Sequence, residues 1–146
     1  MNTIPFLPVL GAGVAAFLLG WAWYSKILFQ KPWMASLGIT DADYEKVGKP
    51  EAFRTMVYGF LTMLATAYGV AVLLTLLEPA SLTEALAVSL FACFAFSITL
   101  EFSRMIYESK DPHWSRGPQV LFLISSGWQM VQFSAITTVL WFTLLS

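Results

Sequence analysis

The stretch "TMVYGFLTMLATAYGVAVLLTLL", Thr55 to Leu77, contains no Asp, Glu, Lys or Arg. It is longer than the roughly 20 apolar residues an α-helix needs to cross the hydrocarbon core of a bilayer at about 1.5 Å per residue. Working outward, three more stretches are free of charge: Met1 to Ser25, Ala85 to Leu100 and Gly117 to Ser146. Each approaches or exceeds the same length, so four transmembrane helices are expected.

The composition agrees. Of the 146 residues 58% are hydrophobic and only 12% are charged, whereas an ordinary soluble domain is about 25% charged. The fold class read from this is all-α: an integral membrane four-helix bundle, one domain over 1–146, with helices at about 4–29, 52–77, 82–107 and 118–144. The first apolar run lacks a basic leader and outlasts the roughly 7 to 15 residues of a signal-peptide core, so it reads as a permanent helix.

Local chemistry sets the boundaries. Pro32 removes a backbone donor and disfavours helix at Lys31, which puts the end of the first helix near Phe29. In the polar connection that follows, Thr40 and Asp43 have N-cap spacing, so a short helix is expected over Asp41 to Val47, ended by Gly48. Pro50 suits the first turn of the second helix, and Glu78 with Pro79 ends it. Ser81 and Glu84 have capping-box spacing and start the third helix. "SKDPHWSRGP" then breaks the chain, and Pro118 opens the fourth.

Orientation follows from the basic residues. Lys26, Lys31, Lys46, Lys49 and Arg54 belong to the first connection and Arg104, Lys110 and Arg116 to the third, which accounts for all 8 Lys and Arg. The positive-inside rule puts both connections in the cytoplasm and both termini outside the cell (inner) membrane. The charge serves topology, and no basic stripe offers itself to nucleic acid.

"GWAWYSKILFQKPWM", Gly20 to Met34, falls where the first helix leaves the bilayer. Trp21, Trp23 and Trp33 read as interface anchors, and Lys26 and Lys31 lift their ammonium groups into the headgroups. The density of rings exceeds what one anchor needs, so some are expected to face the bundle. The stretch also resembles the pattern G-x-x-W-Y-S-x-x-x-F-x-K-x-W-M near the start of a bacterial membrane family catalogued as domain of unknown function 1761. "ISSGWQMVQFSAI" resembles that family's glycine-centred stretch in the last helix. The resemblance implies a small four-helix membrane protein and brings no activity, cofactor or catalytic residue with it.

Polar residues inside apolar helices are costly without partners and therefore mark sites or helix contacts. Thr55, Tyr58, Thr62 and Thr66 form one stripe on the second helix. Ser97, Glu101, Arg104 and Glu108 form another on the third, and Ser125, Gln129 and Gln132 a third on the last, with Gly127 and Trp128 beside them. Tyr24 is placed to join them. The expectation is a polar, aromatic-lined pocket opening to the cytoplasm, built from Tyr24, Tyr58, Thr62, Ser97, Glu101, Arg104, Ser125, Gln129 and Gln132. The competing reading is interhelical glue. Glu101 and Arg104, one turn apart, read either as a structural ion pair or as a ligand or proton site.

Other signals lead nowhere chemical. His113 stands in a loop without a metal-ligand array, and Cys93 is alone, so neither metal nor cofactor is expected. Gly11 and Gly13, with Ala16 and Gly20, lack a dinucleotide-binding context and instead suit the close approach of another helix. No nucleophile-and-base set is legible, so a non-catalytic role is the expectation. Two classes lead: a bundle that binds or transports a small molecule, lipid or ion as a homo-oligomer, and an accessory subunit of a larger membrane complex.

Overall fold

In the computed structural model, residues 4–107 and 117–145 are described. They form α1 (Phe6–Trp23), α2 (Gln30–Leu37), α3 (Asp41–Glu45), α4 (Lys49–Leu77), α5 (Leu82–Ala92), α6 (Thr99–Tyr107) and α7 (Pro118–Leu140). A π-helical turn, Cys93–Ile98, joins α5 to α6, and a second, Trp141–Leu145, extends α7. Among the described residues there is no strand. Four runs are long and apolar enough to cross a membrane: Phe6–Trp23, Lys49–Leu77, Leu82–Tyr107 and Pro118–Leu144.

The caps follow their residues. Thr40 and Asp43 form a reciprocal capping box that starts α3, so two otherwise unpaired donors are satisfied. The Ser81 hydroxyl accepts the Glu84 N–H, and the Glu84 carboxylate accepts the Ala80 N–H at 2.8 Å. At the other end of that turn Glu78 takes a left-handed backbone, φ 44°. For a residue with a Cβ this costs about 1 to 2 kcal/mol. The Glu78 N–H still makes the last helical bond, to the Leu74 carbonyl at 3.0 Å, and the chain turns away after it.

The first helix departs from its sequence reading. It ends at Trp23, short of the Phe29 that Pro32 implies. The N–H groups of Leu28 and Gln30 turn back to the Ser25 carbonyl, and that of Phe29 to the Trp23 carbonyl at 3.1 Å. This tight reversal brings the Trp23 and Phe29 rings together at 4.5 Å. Pro32 then sits in the first turn of α2, where a missing N–H costs nothing. Gly38, at φ 70°, ends α2, a left-handed position that glycine fills without strain. The short α3 stops at Glu45, two residues before the expected Val47.

Packing is uneven along the bundle. α1 lies between α4 and α7, and α7 carries the α5–α6 run on its other flank. The buried core joins Val9, Ala12 and Ala16 of α1, Ala67, Val70, Ala71 and Leu74 of α4, Ala85 of α5, and Ile136 and Leu140 of α7. Ile4 and Leu144 pack against it, so this core lies at the terminal end, beside the α4–α5 turn. At the other end, here the loop end, every residue from Lys49 to Tyr58 is exposed and α6 holds no buried residue. The glycine reading of α1 is borne out at two positions. A methyl at Gly13 would stand 2.6 Å from Leu64 Cδ2 of α4, and one at Gly20 would stand 3.0 Å from Trp128 Cζ2 of α7; one at Gly11 would meet nothing within 4 Å.

Candidate functional site

At the loop end α1 and α7 exchange tryptophans. Trp128 of α7 packs on α1 at Gly20, and Trp23 of α1 packs on α7 at Gly127, where an added methyl would stand 3.2 Å from Trp23 Cζ2. Each glycine supplies the bare backbone that the other helix's ring covers. The two rings are 6.2 Å apart, and Trp128 is 5% exposed. Phe29 stacks on Trp23, while Tyr24 meets Trp33 edge-on at 5.6 Å and Trp128 at 6.2 Å. Ring pairs at such distances contribute about 0.5 to 1.5 kcal/mol beyond their buried area. Gln30 and Met34 of α2 are also buried, and α2 packs on α7. The α1–α2 reversal is thus clamped to the last helix.

Polar groups converge beside this clasp. The Tyr24 phenol, just beyond the α1 span, lies near the Ser125 hydroxyl of α7 and within reach of the negative charge of Glu101 of α6. Burial pushes the Tyr24 pKa up, Ser125 opposes that, and Glu101 adds to it, so the phenol is neutral at physiological pH. Glu101 also lies 3.5 Å from Arg104. Further along, Ser97 sits half-buried in the π-helical turn, Gln129 is half-buried, and Gln132 is 3% exposed.

The α4 candidates are placed elsewhere. Tyr58 is 60% exposed, and Thr62 is exposed with its hydroxyl bonded to the Gly59 carbonyl at 2.7 Å. Thr55 and Thr66 likewise bond their own backbone. The period of that stripe was legible, but its direction is outward, away from Tyr24 and Ser125. Glu108, Lys110, His113 and Arg116 lie outside the described residues. Of the expected anchors, Trp21 is 72% exposed while Trp23 and Trp33 are half-buried among other rings; Lys26 and Lys31 are exposed.

One concavity among the described residues is apolar. It is an open groove of about 600 Å³ between α1, α5 and α7, lined by Ala15, Leu19, Leu90, Met130, Ala135 and Val139 among others, and none of the polar candidates lines it. Ser134 and Thr138 on its floor turn their hydroxyls to their own backbone at 2.8 Å. Three other hydroxyls do not: Ser89, Ser126 and Thr137 are buried without a partner, as is Trp23 Nε1. Sequence periodicity gave no sign of these orphans, nor of the tryptophan exchange, which joins positions over a hundred residues apart.

Among the described residues the fold is all-helical, with four helices long and apolar enough to cross a membrane and a clasp of rings at one end, which is compatible with a multi-pass membrane protein. The chain belongs to the family described as "Protein of unknown function (DUF1761)", whose model matches residues 7–141. Comparison with curated proteins and with solved structures gives no match. Both segments that carry the family resemblance, Gly20 to Met34 and Ile124 to Ile136, meet in the clasp.

Proposed function

We propose that this protein is a binding or transport bundle of the cell (inner) membrane that takes a small molecule, lipid or ion at the polar line beside the clasp, and that it works as a homo-oligomer. What supports the reading is the position of Tyr24 against the Trp33 and Trp128 rings at 5.6 and 6.2 Å, with Ser125 and Glu101 from two other elements near its phenol. A carboxylate, a neutral phenol and a hydroxyl together offer both donors and acceptors next to aromatic faces. Gln129 and Gln132 continue the line toward the bundle interior. The distribution of Lys and Arg supports a cytoplasmic loop end with both termini outside, and in that orientation the line would open to the cytoplasm.

The test is native mass spectrometry of the protein extracted directly into lipid particles, comparing the natural chain with Glu101→Gln. A discrete mass retained by the natural chain and lost from an equally stable Glu101→Gln variant is the expected result. Loss of the folded state instead would assign Glu101 and Arg104 to structure. A second reading, an accessory subunit, is favoured by Phe91, Phe94 and Phe96, which are 72%, 62% and 76% exposed on the α5–α6 run. A stoichiometric foreign subunit in the same spectrum, with no small mass, would decide for it.

A further inference from the structure

We propose that the α1–α2 reversal is a recognition site for the phosphate-bearing headgroup of an anionic phospholipid. The reversal has two halves. Trp23, Phe29 and Gln30 face the clasp, with the Phe29 and Gln30 N–H groups tied back to the Trp23 and Ser25 carbonyls at 3.1 and 3.2 Å. This leaves Lys26, Ile27, Leu28 and Lys31 on the outside, on a tip that the clasp already holds in shape. Ile27 is 91% exposed and Leu28 51%, with Trp21 at 72% on the last turn of α1. Apolar side chains so exposed at the end of a spanning helix enter the acyl boundary, which puts the neighbouring ammonium groups at headgroup level.

The charge at this tip is uncompensated. No Asp or Glu occurs in the chain before Asp41. Lys46, Arg54 and Arg104 each have a carboxylate at 3.4 to 3.6 Å; among the described residues Lys26, Lys31 and Lys49 have none, and of these Lys26 and Lys31 belong to the reversal with its exposed apolar tip. Two ammonium groups beside an apolar wedge complement a phosphate that carries net negative charge and is attached to acyl chains. A zwitterionic headgroup brings its own ammonium, which cancels most of the gain. Because the reversal is held by the Trp23 and Phe29 rings packed on each other, little conformational entropy is lost on binding. The site is independent of the polar line at Glu101.

The experiment uses the full chain in mixed micelles with equal phosphatidylglycerol and phosphatidylcholine, and counts retained lipids by native mass spectrometry. Phosphatidylglycerol is expected to be retained in preference. Lys26→Gln should reduce that preference about fivefold, the equivalent of about 1 kcal/mol per lysine, and Lys26→Gln with Lys31→Gln about 25-fold. Lys26→Arg with Lys31→Arg should keep it. Lys46→Gln with Lys49→Gln removes the same charge from the same connection and should leave the preference intact. Equal retention of the two lipids by the natural chain would overturn the proposal, and so would a loss in the Lys46 and Lys49 variant as large as in the tip variant.

Discussion

The two ends of this bundle are held together in opposite ways. At the terminal end, alanines at no exposure on α1, α4 and α5 bring backbones close, and Leu74, Ile136 and Leu140 fill the remaining space. At the loop end two glycines give up their side chains so that two tryptophans can lie across the helix boundary. Lipid tails are as apolar as leucine, so burial from lipid gains little by itself and contact between atoms must hold the helices. Small residues achieve it by proximity, whereas large rings achieve it by area. The second solution leaves room around the rings for polar groups such as Tyr24 and Ser125, which the first does not.

The comparison breaks most easily at the rings. Trp128→Ala should cost about 3 kcal/mol, the low end of the range for core tryptophans. Leu74→Ala at the terminal end should cost about 2 kcal/mol, because only packing and no transfer from water is lost. Reversible unfolding of both variants in the same bicelles checks the order; a larger loss for Leu74→Ala would make the terminal end the main support.

A double-mutant cycle sharpens the picture. Gly127→Ala drives a methyl toward Trp23 Cζ2 and should cost about 1 to 2 kcal/mol. In a Trp23→Phe background that ring atom is gone, so the same substitution should cost at least about 0.5 kcal/mol less. Gly20→Ala in the Trp23→Phe background should show no such relief, since its partner is Trp128. Additivity in both cycles, read from the same unfolding midpoints, would mean that the exchange is only apparent.

The smallest effect is expected where burial is greatest. Thr137 and Ser89 are fully buried with hydroxyls that meet no partner. Thr137→Val and Ser89→Ala therefore remove an unmet polar group and should be neutral or stabilising by up to about 1 kcal/mol. A loss above that, measured as a lowered unfolding midpoint, would show that these hydroxyls are bonded in the membrane.

The spans were legible because hydrocarbon admits few charges: Thr55 to Leu77 can be read without any neighbour. The Thr40 cap was legible because both partners lie within four residues. The end of α1 was not, because Trp23 and Phe29 are drawn together by what α7 offers, and the local signal of Pro32 points six residues too far. The polar stripes announced their spacing but not their bearing. Tyr24 and Ser125 meet because α1 and α7 are clasped, while Tyr58 faces outward because α4 stands clear of them at this end. Gly20 and Gly127 carried the one usable hint, since each lies within three residues of a tryptophan.

The exchanged tryptophans also set an order of assembly. Trp23 is made early and its seat on Gly127 only 104 residues later, a gap of about 5 to 20 s at ordinary rates of translation. Until the last helix is present, the first has no seat on Gly127 for its ring. The closing step of biogenesis is therefore the arrival of α7, and a chain interrupted before that helix would have its first three helices in the membrane with their loop end unfastened.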